Sequence, residues 1–297
     1  MTQQQRKALD ELVRQGPLDV GGDIAEQRVI FHEMLSATPV PDDVSAKRGE
    51  LGGVPVVTVE TPGTDPSVAV LYFHSGAYVL GSAADCVGLA AEVSRRVGAR
   101  AVSVDYRLAP EHPFPAALDD AVAAYRALLD EGVPSTKIAL VGESAGGGLV
   151  AATLVALKDA DLPQPSSAVV FSPWADLTVS GASMTGKADL DPLLTPEGLR
   201  IRARDYIGEH DPATPLASPI FADLTGLPPL LIQVGSHEIL LDDAVRLASR
   251  AADHNVAVEL QVWPEVPHIF QGCGALLDDA DRALLAVSAF IKRNWLT

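Results

Sequence analysis

Five short apolar runs constrain the fold of this chain more than any other feature: AVSVDY (101–106), KIALVG (137–142), SAVVFS (167–172), PLLIQVG (229–235) and VAVELQVW (256–263). Each is rich in β-branched residues, as expected of strands covered on both faces of a parallel sheet. Parallel neighbours cannot be joined by a tight turn, so a crossover must lie between them. Stretches at about 84–97, 116–131, 145–160, 241–254 and 278–294 supply it, with apolar residues recurring every three or four positions. Strand followed by helix, repeated, predicts an α/β fold with a mostly parallel central sheet and helices on both faces. Two earlier runs, VPVVTVE (54–60) and VAVLYF (68–73), are joined by the turn-rich TPGTDPS and are expected to pair antiparallel.

Two segments break this rhythm. Residues 1–45 read as helical without a strand partner, and residues 174–226 form a long excursion between two strands, with a helical piece near 196–208. A connection that long inside a compact domain predicts a lid or binding element.

The formal charge of −17 excludes nucleic-acid binding as an expectation, because such a surface repels phosphate backbones and no Lys/Arg cluster relieves it. Apolar runs fall well short of the roughly 18–20 residues that span a bilayer. The N-terminal MTQQQRKALDELVRQG has no apolar core of the signal-peptide kind, so a cytoplasmic location is expected. Cys86 and Cys273 lie far apart with no CxxC spacing and are expected to be reduced thiols.

The chemistry concentrates at Gly142-Glu143-Ser144-Ala145-Gly146, where KIALVG runs directly into an Ala-rich helical stretch. GxSxG at a strand-to-helix junction is a turn so tight that the serine takes a strained conformation, and small neighbours let other backbone approach. Ser144 is thereby placed above the sheet edge at the positive end of the following helix.

A serine hydroxyl needs a base to accept its proton. Of the seven histidines, His268 sits in the loop VPHIFQGCG after the last strand, and open α/β sheets build sites beyond the carboxyl ends of their strands. A carboxylate should orient that imidazole. Glu238, the acid nearest the end of LLIQVG, is the candidate, with Asp242 its rival and Asp243 read as a first-turn helix charge. The order Ser144, Glu238, His268 is the Ser…Asp/Glu…His order of α/β-hydrolases. Upstream, VAVLYF ends in His74-Ser75-Gly76-Ala77-Tyr78, whose small residues allow backbone N–H groups to reach a developing oxyanion. The N–H groups of Gly76, Ala77 and Ala145 form the candidate oxyanion hole.

From about residue 68 onward the chain resembles the hormone-sensitive-lipase-like family of α/β-hydrolase carboxylesterases, the bacterial family IV esterases. His74-Ser75-Gly76-Ala77 is similar to the family's HGGG loop, and Gly142-Glu143-Ser144-Ala145-Gly146-Gly147 to its GDSAGG elbow. The segment from Asp105 to Ala116, DYRLAPEHPFPA, matches a long family signature that no catalytic argument demanded and that the resemblance makes a scaffold. Gly235 to Asp242 aligns with the family's G-x-x-D-x-L-x-D and favours Glu238 over Asp242. Glu for Asp adds one methylene of reach, Ser75 and Ala77 replace two glycines, and Glu143 replaces an Asp. For Glu143 two readings stand: a charge acting on His268, or packing.

The resemblance implies an α/β-hydrolase fold in which residues 1–45 and 174–226 form a helical cap on a catalytic domain made of 46–173 and 227–297. It implies a serine carboxylesterase for short- to medium-chain esters, working through an acyl-enzyme without metal or organic cofactor. It also suggests a homodimer through the edge strand near 256–263. The competing readings are an amidase or peptidase using the same triad, and a non-catalytic small-molecule receptor on the same fold, which the presence of His268 disfavours. Neither GxGxxG opening a helix nor HExxH spacing occurs, against dinucleotide and zinc chemistry.

Overall fold

In the computed structural model, which describes residues 2–37 and 40–295, the apolar runs and one further strand form a single eight-stranded sheet. Its strands are β1 (Ser45–Leu51), β2 (Val54–Glu60), β3 (Asp65–Phe73), β4 (Ala99–Val104), β5 (Ile138–Glu143), β6 (Ser167–Phe171), β7 (Leu230–Gly235) and β8 (Val258–Trp263). Their spatial order is β1-β2-β4-β3-β5-β6-β7-β8, with β2 antiparallel to both neighbours and every other pairing from β4 to β8 parallel.

The helices are α1 (Thr2–Arg14), α2 (Ile24–Ser36), α3 (Val87–Val97), α4 (Ala116–Asp130), α5 (Ala145–Asp159), α6 (Ser183–Gly186), α7 (Pro196–Ile207), α8 (Leu241–Asp253) and α9 (Asp278–Trp295). The strands' two-residue period divides the core into two layers. Ile138 and Leu140 of β5 join Leu118, Leu149 and Leu247 from α4, α5 and α8 on one face. Ala139 and Val141 join Val93 of α3 and Val287 and Phe290 of α9 on the other.

Two expectations need correction, and one strand was not foreseen. β2 and β3 do not pair, because β4 lies between them and bonds β2 antiparallel and β3 parallel. Proximity in sequence favoured a hairpin, but β3 is wanted in the centre of the sheet, where both its faces are buried. β8 is not covered on both faces: it is an edge strand with one partner, and Leu260 and Val262 are 37% and 45% exposed. β1, SAKRGEL, is an edge strand that no apolar pattern announced, since most of its side chains face solvent. Cys86 and Cys273 are both free thiols.

The two segments outside the strand–helix rhythm grip each other as well as the sheet domain. Arg14 of α1 donates from Nη2 to the Leu190 carbonyl (2.8 Å). The buried Arg202 of α7 donates to the carbonyls of Gly21 and Gly22 at 3.3 and 3.0 Å. α7 begins where the sequence says it should, with Thr195 Oγ1 accepting from Gly198 N (3.1 Å) and Pro196 in the first turn. Among the described residues no helix is long and apolar enough to cross a membrane.

Candidate active site

The turn from β5 into α5 holds Ser144 at φ 54°, ψ −119°, a conformation that costs a non-glycine residue about 1–3 kcal/mol. Surrounding backbone enforces it. Ser144 N–H donates to the Phe171 carbonyl (2.9 Å), and the Ser144 carbonyl accepts from Trp174 N–H (2.9 Å) and Gly148 N–H (3.0 Å). Gly146 is required because a Cβ there would collide with the carbonyls of Phe73 and His74 at the end of β3.

β7 ends on the same rim. A Cβ on Gly235 would run into the Val266 carbonyl, so its absence lets the loop carrying His268 close onto the loop carrying Glu238. His268 Nδ1 lies 2.8 Å from Glu238 Oε2, and His268 Nε2 lies 2.9 Å from Ser144 Oγ. The carboxylate accepts from Nδ1–H, which leaves the Nε2 lone pair facing the serine hydroxyl. Glu238 is fully buried, and its other oxygen, Oε1, accepts from Gly235 N–H (2.5 Å) and Ser172 Oγ–H (2.8 Å). All three side chains that the sequence singled out therefore meet in one hydrogen-bonded chain.

The neighbouring acids are engaged elsewhere. Asp242 Oδ2 accepts from Ser183 N–H (3.0 Å), and Asp243 accepts from the N–H groups of Ala175 and Asp176, both at 2.9 Å. Burial pushes the Asp243 carboxyl well above the usual range.

The loop after β3 turns through Gly76 (φ 118°), Ala77 (φ 51°) and Tyr78 (φ 63°). The Gly76 carbonyl accepts from Val79 N–H (2.9 Å) and Leu80 N–H (2.8 Å), which closes the turn. The substitution of glycine by alanine at position 77 is accommodated in the left-handed region, at a cost of about 1–2 kcal/mol. Among the described residues, the N–H groups of Gly76, Ala77 and Ala145 donate to no protein acceptor, as groups kept for a ligand oxygen would.

His74 is packed beneath the loop rather than joined to Ser144. Its ring stacks on Tyr106 with centroids 4.1 Å apart, Nδ1 lies 2.6 Å from the Ser75 carbonyl, and burial pushes its pKa down. Glu143 is buried: Tyr72 Oη–H donates to its Oε1 (2.9 Å), and burial pushes its carboxyl up.

Two supporting residues escaped the sequence reading. Ser172, at the carboxyl end of β6, bonds Glu238 and could have been found as a polar residue on the same rim as Ser144. Asp191, from the 174–226 excursion, accepts from Leu193 N–H (2.9 Å) and Leu194 N–H (2.8 Å) with Oδ1. Its Oδ2 accepts from Ile239 N–H (2.8 Å), immediately after Glu238. Nothing local in the sequence marks this contact.

Known proteins resemble this chain over most of its length. The sequence profile of the alpha/beta hydrolase fold matches residues 70–272. An acetyl-hydrolase of Streptomyces hygroscopicus is 45% identical over 231 residues, covering 78% of this chain and 77% of that protein. An esterase of Acinetobacter venetianus is 36% identical over 222 residues, covering 74% and 73%. The crystal structure of an esterase from the bacterial hormone-sensitive lipase family superposes with a TM-score of 0.95 at 39% identity, covering 98% of both chains. A hormone-sensitive lipase from a metagenome library gives 0.93 at 38% identity, over 99% of this chain and 98% of that one. The chain belongs to the α/β-hydrolase family and, within it, to the carboxylic ester hydrolases of the bacterial hormone-sensitive-lipase group.

Proposed function

We propose that the chain is a serine carboxylesterase for short- to medium-chain esters, with Ser144 as nucleophile, His268 as general base and Glu238 as the group that orients His268. The observation that carries this reading is the imidazole of His268, bonded at once to Ser144 Oγ (2.9 Å) and Glu238 Oε2 (2.8 Å). Ser144 Oγ attacks the ester carbonyl as His268 Nε2 takes its proton. The carbonyl oxygen becomes an oxyanion facing the N–H groups of Gly76, Ala77 and Ala145, each donor being worth about 3 kcal/mol in the transition state. His268 then gives its proton to the departing alcohol, and water repeats the sequence on the acyl-enzyme to release the acid.

α1, α2 and the 174–226 excursion serve as a cap over this rim. The contact of Asp191 with Ile239 supports that role, since it ties the excursion to the loop of the triad acid. A short acyl group is supported by the name of the Streptomyces relative, an acetyl-hydrolase. Rates on p-nitrophenyl acetate, butyrate, octanoate and palmitate test the range: a maximum at acetate or butyrate is expected, and a maximum at palmitate would exclude it. The exposed edge of β8, with Leu260 and Val262 outward, supports a homodimer. Elution at monomer mass with light scattering would count against it.

A further inference from the structure

The segment from Asp105 to Ala116, which the triad does not use, meets α2 at one guanidinium. Arg28 of α2 donates from Nε to the Val79 carbonyl (2.8 Å) and from Nη2 to the Ala109 carbonyl (3.1 Å). Its two terminal nitrogens also bond the two oxygens of Glu111, both at 2.7 Å. Ala109 N–H in turn donates to the Tyr78 carbonyl (2.9 Å). Two consecutive carbonyls of the loop that carries Gly76 and Ala77 are thus held from outside it. The hold matters because Ala77 and Tyr78 are both left-handed, at φ 51° and 63°, and each relaxes toward negative φ if released. The turn's own bonds, from Val79 and Leu80 to the Gly76 carbonyl, fix its inside but not its direction relative to Ser144. The bidentate carboxylate fixes the guanidinium plane, which a lysine ammonium cannot reproduce.

We propose that Arg28, clamped by Glu111, is a positioning residue that sets the direction of the Gly76 and Ala77 N–H groups, so that docking of α2 is coupled to stabilisation of the oxyanion. This rests on the reading of those amides as oxyanion donors in a Ser144 esterase. It also accounts for the 105–116 segment, which presents the Ala109 carbonyl and the Glu111 carboxylate to a residue 81 and 83 positions away in the chain.

The test is steady-state hydrolysis of p-nitrophenyl acetate by wild type, Arg28→Ala, Arg28→Lys, Glu111→Gln and Ser144→Ala, with melting curves for each. For Arg28→Ala the expected result is a kcat lower by roughly 10- to 100-fold, the range for catalytic donors misplaced by a fraction of an ångström to an ångström, with KM within about twofold. Added guanidinium at low millimolar concentration should restore part of the rate in Arg28→Ala and none in wild type, a readout that a merely destabilised fold would not give. Arg28→Lys and Glu111→Gln should lose rate in the same direction. A folded Arg28→Ala with kcat within twofold of wild type, or with its loss confined to KM, overturns the proposal. If Arg28→Ala does not fold, wild-type kcat in Glu111→Gln and Arg28→Lys overturns it instead. An inactive Ser144→Ala beside fully active Arg28 variants removes only the clamp, whereas an active Ser144→Ala removes the esterase reading beneath it.

Discussion

Replacing Glu238 by glutamine changes one oxygen to an NH₂ group, and the structure dictates where that group must go. Oε1 accepts from two donors, Gly235 N–H at 2.5 Å and Ser172 Oγ–H at 2.8 Å. The serine hydroxyl can rotate, but the Gly235 amide can only donate, so the side-chain oxygen of the Glu238→Gln variant has to take the Oε1 place. Its NH₂ then faces His268 Nδ1, where Oε2 stood 2.8 Å away. Nδ1 is forced to accept, the ring proton moves to Nε2, and the nitrogen beside Ser144 can no longer take the hydroxyl proton. The charge that would steady the imidazolium is lost as well. A wrong-tautomer substitution of this kind lowers kcat by about 10⁴, or roughly 5.5 kcal/mol of barrier. The assay is kcat on p-nitrophenyl acetate, beside a melting curve that verifies the fold. Asp242→Asn serves as the internal comparison and should stay within about threefold of wild type, since Asp242 bonds Ser183 rather than His268. A Glu238→Gln enzyme within tenfold of wild type, or an Asp242→Asn enzyme as impaired as Glu238→Gln, would refute the assignment.

Gly146→Ala places a Cβ against the Phe73 and His74 carbonyls, which should destabilise the fold by about 3 kcal/mol and lower the melting temperature by roughly 6 °C; an unchanged melting temperature would show the contact to be wrong. Asp191→Ala leaves the N–H groups of Leu193, Leu194 and Ile239 without their acceptor, and denaturant unfolding should report a loss of about 3 kcal/mol. Glu143 bears on pH. Burial raises its pKa in the folded chain above the unfolded value of 4.5, so the folded state keeps a proton that the unfolded state has released. Stability therefore falls as pH rises between the two values, and the cost is fully present above the folded one. Glu143→Gln removes that cost and should melt above wild type at pH 8, with the difference shrinking toward pH 4; a variant that melts below wild type at pH 8 contradicts the burial argument.

What the sequence disclosed and what it hid divide along a physical line. The elbow at Ser144 was legible because a strained serine between a strand and a helix can be built only with small neighbours, so the constraint is written within five consecutive residues. His268 and Glu238 were legible because strand ends define a rim, and each lies a few residues beyond one. Strand order was not, because pairing depends on which strands bury both faces: β4 displaced the hairpin suggested by the short link between β2 and β3. β8 read as a strand buried on both faces because its run is rich in valines, yet Leu260 and Val262 are exposed at the sheet edge. Arg28, Ser172 and Asp191 act on groups 51, 66 and 48 residues away, at Val79, Glu238 and Ile239. No local pattern records such meetings; only the folded loops bring them about.

Whether Ser144 is a nucleophile activated by His268 is decided by kcat for p-nitrophenyl acetate, butyrate and octanoate with wild type, Ser144→Ala and His268→Ala. Turnover by the wild type with losses of at least about four orders of magnitude in both variants is the predicted result. Near-wild-type turnover by folded Ser144→Ala would rule out that role, whatever the substrate range.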